Sequence, residues 1–334
     1  MADPKKPVGA WTPLYFLASL GAGGIAVSFF MMLMFWVPHP GRPVPVFEDI
    51  VAAFHGVALP LQAAILVPDA GIPIFAAMNV TSLVWNLRSL AAMKRTPAYA
   101  ALRNSNAETT LLAMPLALAM TVNALFIVGL VFVPGLWGVV EYLFPAALVA
   151  FGAIGVIAFR LIGEFLGRVL AKGGVFDVTA HNSFAQLLPA FAVSMIAVGF
   201  AAPAAMSTVP ATVGVSLILS TILGVTAILY TLFAATSAVS SMLQHGTARE
   251  AGPTLMVIVP IVTVLGILFL RQNHGLHTTF DVHAQPGETM IFLARLLAIQ
   301  VAFLGLGWVV LRAQGYLNDY VLGDKTSAGS YALV

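Results

Sequence analysis

Residues 110–133 read TLLAMPLALAMTVNALFIVGLVFV. The run holds no charged side chain, and at ~1.5 Å of rise per residue it can cross a ~30 Å hydrocarbon layer. Its one breaker is Pro115, which inside a soluble helix would cost roughly 3 kcal/mol. Two further runs carry a proline at the same relative place, about a third of the way in: Pro189 in 183–202 and Pro260 in 253–270. A bilayer tolerates such a residue where neighbouring helices, polar side chains or water satisfy the freed carbonyls. Kinks repeated in alternate runs point to helices that face a protein interior or a wet pathway, and so toward transport.

Composition sets the compartment. Hydrophobic residues make up 60% of the 334 and charged residues 8%, with a mean hydropathy of +0.97; an ordinary globular domain is roughly a quarter charged. Apolar runs lie at 13–37, 49–93, 110–133, 139–169, 183–202, 212–243, 253–270 and 289–311. The chain reads as a single all-α integral membrane domain. Lys5 and Lys6 precede a first run too long for a signal-peptide core, so that run is expected to be an uncleaved span. There is no cysteine, which excludes disulfides and thiolate sites within these residues. No basic, aromatic-interleaved surface supports nucleic-acid binding. Neither a Ser/His/Asp triad, a phosphate loop nor a pair of catalytic carboxylates occurs at a working spacing, so no catalytic residue and no cofactor is expected.

The stretch from Asp49 to Met93 could cross once or twice, being divided by Pro60, Pro68, Gly71 and Pro73. Basic residues decide between these. Lys5, Lys6, Lys94, Arg95, Arg103, Arg168, Lys172, Arg249, Arg312 and Lys325 fall in the N-terminus and in alternate connections, whereas the other connections hold only Arg42 and Arg271 at their edges. The positive-inside rule then puts the N-terminus in the cytoplasm and requires 49–93 to cross once, as a broken, extended or partly re-entrant second span. Eight crossings result. Pro115, Pro189 and Pro260 lie on parallel spans at one depth, and the carbonyls of Leu111, Ala185 and Met256 should lose their helical donors.

Gly21, Gly23 and Gly24 in the first run, and Gly152, Gly155 and Gly163 in the fourth, allow close helix approach. The candidate pathway lining is Gly21, Gly24, Pro115, Thr121, Pro189, Ser194, Pro260 and Thr263. Ser19, Ser28 and Asn123 are further polar groups on the same spans; such side chains replace ion hydration or bond neighbouring helices. Arg295, inside the last run, is a candidate anion attractor, since charges at depth often mark pathways. Arg88 and Arg160 can snorkel to the interface, and Arg160 has the spacing to pair with Glu164. His274, His277, Asp281 and His283 fall in an expected external loop and supply the ligand types of a zinc or copper site, a weak metal signal.

Three groups of residues carry a family resemblance. They are RLIGE at 160–164 with KGGVFD at 172–177 and HNSFAQLLPA at 181–190; LQH at 243–245 with LMVIVP at 255–260 and NHG at 273–275; and LYFLASLGAG at 14–23. In order and spacing the chain resembles the tellurite-resistance/dicarboxylate transporter superfamily, which includes the TehA-type channels and the plant slow anion channels. The resemblance implies helical hairpins around a central pore, ten helices with the odd-numbered ones inside, and a homotrimer. It also implies passage of small inorganic or organic anions across a bacterial cytoplasmic membrane. Eight of the ten helices are accounted for. The last residues, SYALV at 330–334, fall where a ninth helix would begin, so the C-terminal pair is expected to be missing. The opening is also similar to a TsoY-like (seleno)protein branch of the fold. That leaves an alternative, a membrane redox protein with its reactive selenocysteine or cysteine beyond Val334.

Overall fold

The computed structural model describes residues 11–56, 58–172, 177, 179, 182–282, 285–323, 325 and 327–333. Among these every regular element is helical: α1 (Phe16–Trp36), α2 (Phe47–Gly56), α3 (Leu59–Met93), α4 (Pro97–Arg103), α5 (Ala113–Phe132), α6 (Val140–Lys172), α7 (Leu188–Met206), α8 (Pro210–His245), α9 (Ile258–Phe280) and α10 (Pro286–Ala313). Eight of the helical stretches are long and apolar enough to cross a membrane. The stretch 49–93 contributes one of them, α3, preceded by the short α2. At ~1.5 Å per residue α3 is about 50 Å long, well beyond the hydrocarbon thickness. Pro68 and Pro73 lie within it.

The first, third, fifth and seventh spans are the inner ones. Half or more of each apolar window is buried, and 94% in α7, whereas the second, fourth, sixth and eighth lie outside, down to 6% in α10. α7 is central and packs against α5, α6, α8 and α9. α1 packs on α3 and α5.

Each inner span is entered through a 3-10 segment: Pro13–Tyr15 before α1, Asn106–Leu112 before α5, Phe184–Leu187 before α7 and Arg249–Val257 before α9. A fifth segment, Ala328–Leu333, follows α10. Taken in chain order, each touches the next, and the fifth touches the first. They form a closed ring at one end of the bundle.

This arrangement corrects the expected mid-span kinks. Pro115 and Pro260 are the third residues of α5 and α9, and Pro189 is the second of α7. The first four N–H groups of an α-helix have no intrahelical acceptor, so a proline there forfeits nothing. The expected breaks are the junctions at which a 3-10 entry becomes an α-helix. The Ala185 carbonyl, for instance, takes the Leu188 N–H. Two of the entries are held by threonines that bond three residues back: Thr109 to the Asn106 carbonyl at 3.1 Å, Thr110 to Ala107 at 2.6 Å and Thr254 to Ala251 at 2.6 Å. Such local bonds compete with the α ladder.

Candidate functional site

Above the ring lies a cavity of about 390 Å³ between α1, α7 and α9. Leu17, Gly21 and Gly24 line it from α1, Leu188, Phe191 and Met195 from α7, and Pro260, Thr263 and Val264 from α9. Met120 of α5, Leu304 of α10 and Tyr331 of the fifth ring segment add to the wall, and the entry segments form its floor with Leu14, Phe184, Thr254 and Met256. No charged side chain lines it. Its polar groups are Thr254, Thr263 and Tyr331, and two are engaged: the Thr254 hydroxyl accepts from the Phe184 N–H at 3.1 Å, and that of Thr263 donates to the Val259 carbonyl at 2.8 Å. The Thr263 hydroxyl also accepts from the Gln300 amide at 2.7 Å.

Of the eight residues expected to line a path, Gly21, Gly24, Pro260 and Thr263 do so. Pro115, Thr121, Pro189 and Ser194 are buried among helices instead. The Thr121 and Ser194 hydroxyls close onto the carbonyls of Ala117 and Ala190, at 2.9 and 2.8 Å. Ser19 and Asn79 form a reciprocal clamp between α1 and α3. The Ser19 hydroxyl donates to the Asn79 carbonyl at 2.9 Å, and the Asn79 amide to the Ser19 carbonyl at 2.7 Å.

The glycine run of the first span divides by role. A methyl group on Gly23 would come 2.4 Å from Met120 Cγ, so this glycine sets the α1–α5 approach. One on Gly24 would meet nothing within 4 Å. In α6 the corresponding distances at Gly152 and Gly155 are 3.9 and 3.8 Å, ordinary contact with α7.

Ion pairs cluster at the ring end of the bundle. Glu108, buried in the second entry segment, pairs with Arg103 at 2.9 Å and with Arg168. Arg103 also reaches Glu164 at 2.5 Å, and Arg160 meets Glu164 at 3.0 Å, the pair its spacing indicated. On the far side Arg249 and Lys325 converge on Asp319, at 2.5 and 2.8 Å. Lys325 and Arg249 hold the Asp319 carboxyl below the usual carboxylate range, the Lys325 hydrogen bond contributing most. The Tyr331 and Tyr15 rings pack 5.1 Å apart, closing the fifth segment onto the first.

Arg295 is exposed on the outer face of α10 and lines no part of the cavity. His274 and His277 are in the last turns of α9, not in a loop, because the helix runs on to Phe280. Asp281 caps that helix in the left-handed conformation. No three His, Asp or Glu residues come together as a metal group among the described residues. His283, His181, Lys5 and Lys6 lie outside them.

The inner-span charge that sequence reasoning set aside is Arg271. It stood at the edge of the seventh run, yet α9 extends nine residues past it. No family model, curated protein or solved structure matches this chain.

Proposed function

We propose that the chain is an anion channel or passive anion transporter, whose path follows the inner faces of α1, α7 and α9. The observation that carries this reading is the cavity itself. It lies among the inner spans, directly above a ring of backbone segments that brings all their N-termini to one end. Helix N-termini carry positive partial charge and favour an anion approaching from that end. The wall is apolar and offers a few hydroxyls, so a weakly hydrated monovalent anion or small oxyanion suits it better than a cation.

The five-membered ring and the alternation of inner and outer spans are what a ten-helix, five-hairpin pore of the tellurite-resistance/dicarboxylate type would present, and they support that assignment; the homotrimer follows from the resemblance alone. The ring end holds Arg103, Arg160, Arg168, Arg249 and Lys325, whereas the connections at the other end hold Arg42, paired with Asp49 at 2.5 Å. By the positive-inside rule the ring faces the cytoplasm of a bacterial inner membrane, with the N-terminus on the same side.

The test is anion flux in proteoliposomes under a potassium-valinomycin potential. Voltage-dependent chloride or nitrate current is the expected result. Absence of current for chloride, nitrate, tellurite and small dicarboxylates overturns the proposal. Gly24→Leu sharpens the test: a Cβ there meets nothing within 4 Å and the residue lines the cavity, so the added side chain should narrow the path and lower the flux.

A further inference from the structure

Of all the Asp, Glu, Lys and Arg residues, Arg271 alone lies within the four inner helices α1, α5, α7 and α9. Its position on α9 relates it to the cavity. Pro260 to Arg271 is eleven residues, three turns plus about 20°, and Val264 to Arg271 is about 20° short of two turns. Arg271 therefore projects from the cavity-lining face of α9, about 16 Å along the helix from Pro260 and farther from the ring. α7 repeats the relation: Phe191 lines the cavity, and Val198, seven residues on, presents the acceptor for Arg271.

The guanidinium donates from Nη1 to the Val198 carbonyl at 2.8 Å. It meets no carboxylate among the described residues, in contrast to Arg103, Arg160, Arg168 and Arg249, each of which does. A guanidinium has five N–H donors in a rigid fork. One carbonyl occupies one of them and neutralises no charge. An arginine at membrane depth costs several kcal/mol, and in other membrane proteins such residues face an interior or a cavity and pair with something. Gly275, one turn further on, brings α7 against α9: a methyl group there would lie 2.4 Å from the Ala204 carbonyl oxygen. The two backbones are thus in contact on the outer side of Arg271, which holds the guanidinium at the α7–α9 seam.

We infer that Arg271 is the anion-binding group of the pathway, anchored by the Val198 carbonyl and presenting its free donors to a small monovalent anion above the apolar cavity. This rests on the anion-pathway reading and assigns that pathway its selective charge. Arg295, the sequence candidate, lies outside on α10. The anion's negative charge completes the pairing that the protein leaves open, and loss of the neighbouring hydration strengthens it.

The experiment compares wild type, Arg271→Gln and Arg271→Lys in two assays. The first is chloride and nitrate flux in proteoliposomes, with anion-over-cation selectivity taken from reversal potentials. The second is thermal stabilisation of the detergent-solubilised protein by sodium nitrate, against sodium gluconate at equal ionic strength. Expected are at least a tenfold loss of anion flux or of selectivity in Arg271→Gln, partial retention in Arg271→Lys, and a nitrate-dependent stabilisation that Arg271→Gln abolishes. If wild type conducts and Arg271→Gln matches it in flux and selectivity, the inference fails while the pathway reading stands. If wild type carries no anion, the pathway reading fails and the nitrate titration decides the site alone. An Arg271-dependent shift upholds it, and no shift in wild type overturns it. Should Arg271→Gln not fold, the same criteria apply to Arg271→Lys against wild type, with reduced rather than abolished effects.

Discussion

α7 and α10 are almost equally apolar, yet 94% of the most apolar part of one is buried and 6% of the other. Hydropathy selects residues that tolerate hydrocarbon, and a helix interior and a lipid tail are equally apolar. It is silent on which helix sits inside. What separates the two is size. α7 carries Ala190, Ala192, Ala197, Gly199, Ala201 and Ala204, which admit four neighbouring helices. α10 presents Met290, Leu293, Leu297, Val301, Leu306 and Trp308 outward. Without a hydrophobic force between helices in lipid, close approach through small residues is what drives packing.

The sharpest way to break this contrast is at the ring that positions the inner spans. Glu108→Ala leaves Arg103 and Arg168 facing each other without their shared carboxylate, and breaking a buried pair costs about 3–5 kcal/mol. The expected result is a large fall in thermal midpoint in detergent, whereas Arg160→Ala, on an exposed partner, should cost about 1 kcal/mol or less and move the midpoint little. Equal effects would mean the ring charges are not a structural unit. Next, Ala197→Leu in α7 should destabilise by about 1–3 kcal/mol through overpacking, and Leu297→Ala in α10 by about 0.5 kcal/mol or less. Matching losses would erase the inner–outer distinction. Gly275→Ala tests the α7–α9 seam by the same mechanism and should also lose about 1–3 kcal/mol, since a backbone carbonyl cannot yield as a side chain can.

Smaller still is the Ser19–Asn79 clamp. Asn79→Ala should cost about 0.6 kcal/mol, the usual value of an interhelical hydrogen bond in a membrane. The smallest effect is on pH. Asp319 has its carboxyl lowered in the folded state, so its attachment to Arg249 and Lys325 is fully present above its unfolded value near 3.8. It is lost as pH falls through the lower folded value. Protease access to 317–333 should rise only below about pH 4, and Asp319→Asn should show that access already at neutral pH.

Much of the architecture was readable in the chain. Charge spacing and run length marked eight spans, and the basic clusters showed that 49–93 contributes one of them. The prolines marked a shared level on alternate spans, but the kink assigned to them was misplaced. A proline at the second or third helical position looks in sequence like one inside the helix, because what precedes it, Thr109–Leu112 or Thr254–Val257, continues the uncharged run without a visible boundary. The threonines three residues from their acceptors were the available signal for a 3-10 entry. Arg271 was missed because hydropathy falls after Leu270, which reads as the end of a span; the histidines and threonines that follow are helical all the same, since α7 and α8 pack beside them.

Sequence alone determined that the chain carries eight stretches long and apolar enough to cross a bilayer and which connections hold the basic residues, because those properties follow from transfer energies summed along the chain. Tertiary structure decided which helices are inside, that five separate segments close a ring, and that Gly24 and Thr263 line one cavity while Arg295 and Thr121 do not. Those outcomes depend on side-chain shape and on contacts between residues far apart in the chain, which no local sum of hydropathy or propensity contains.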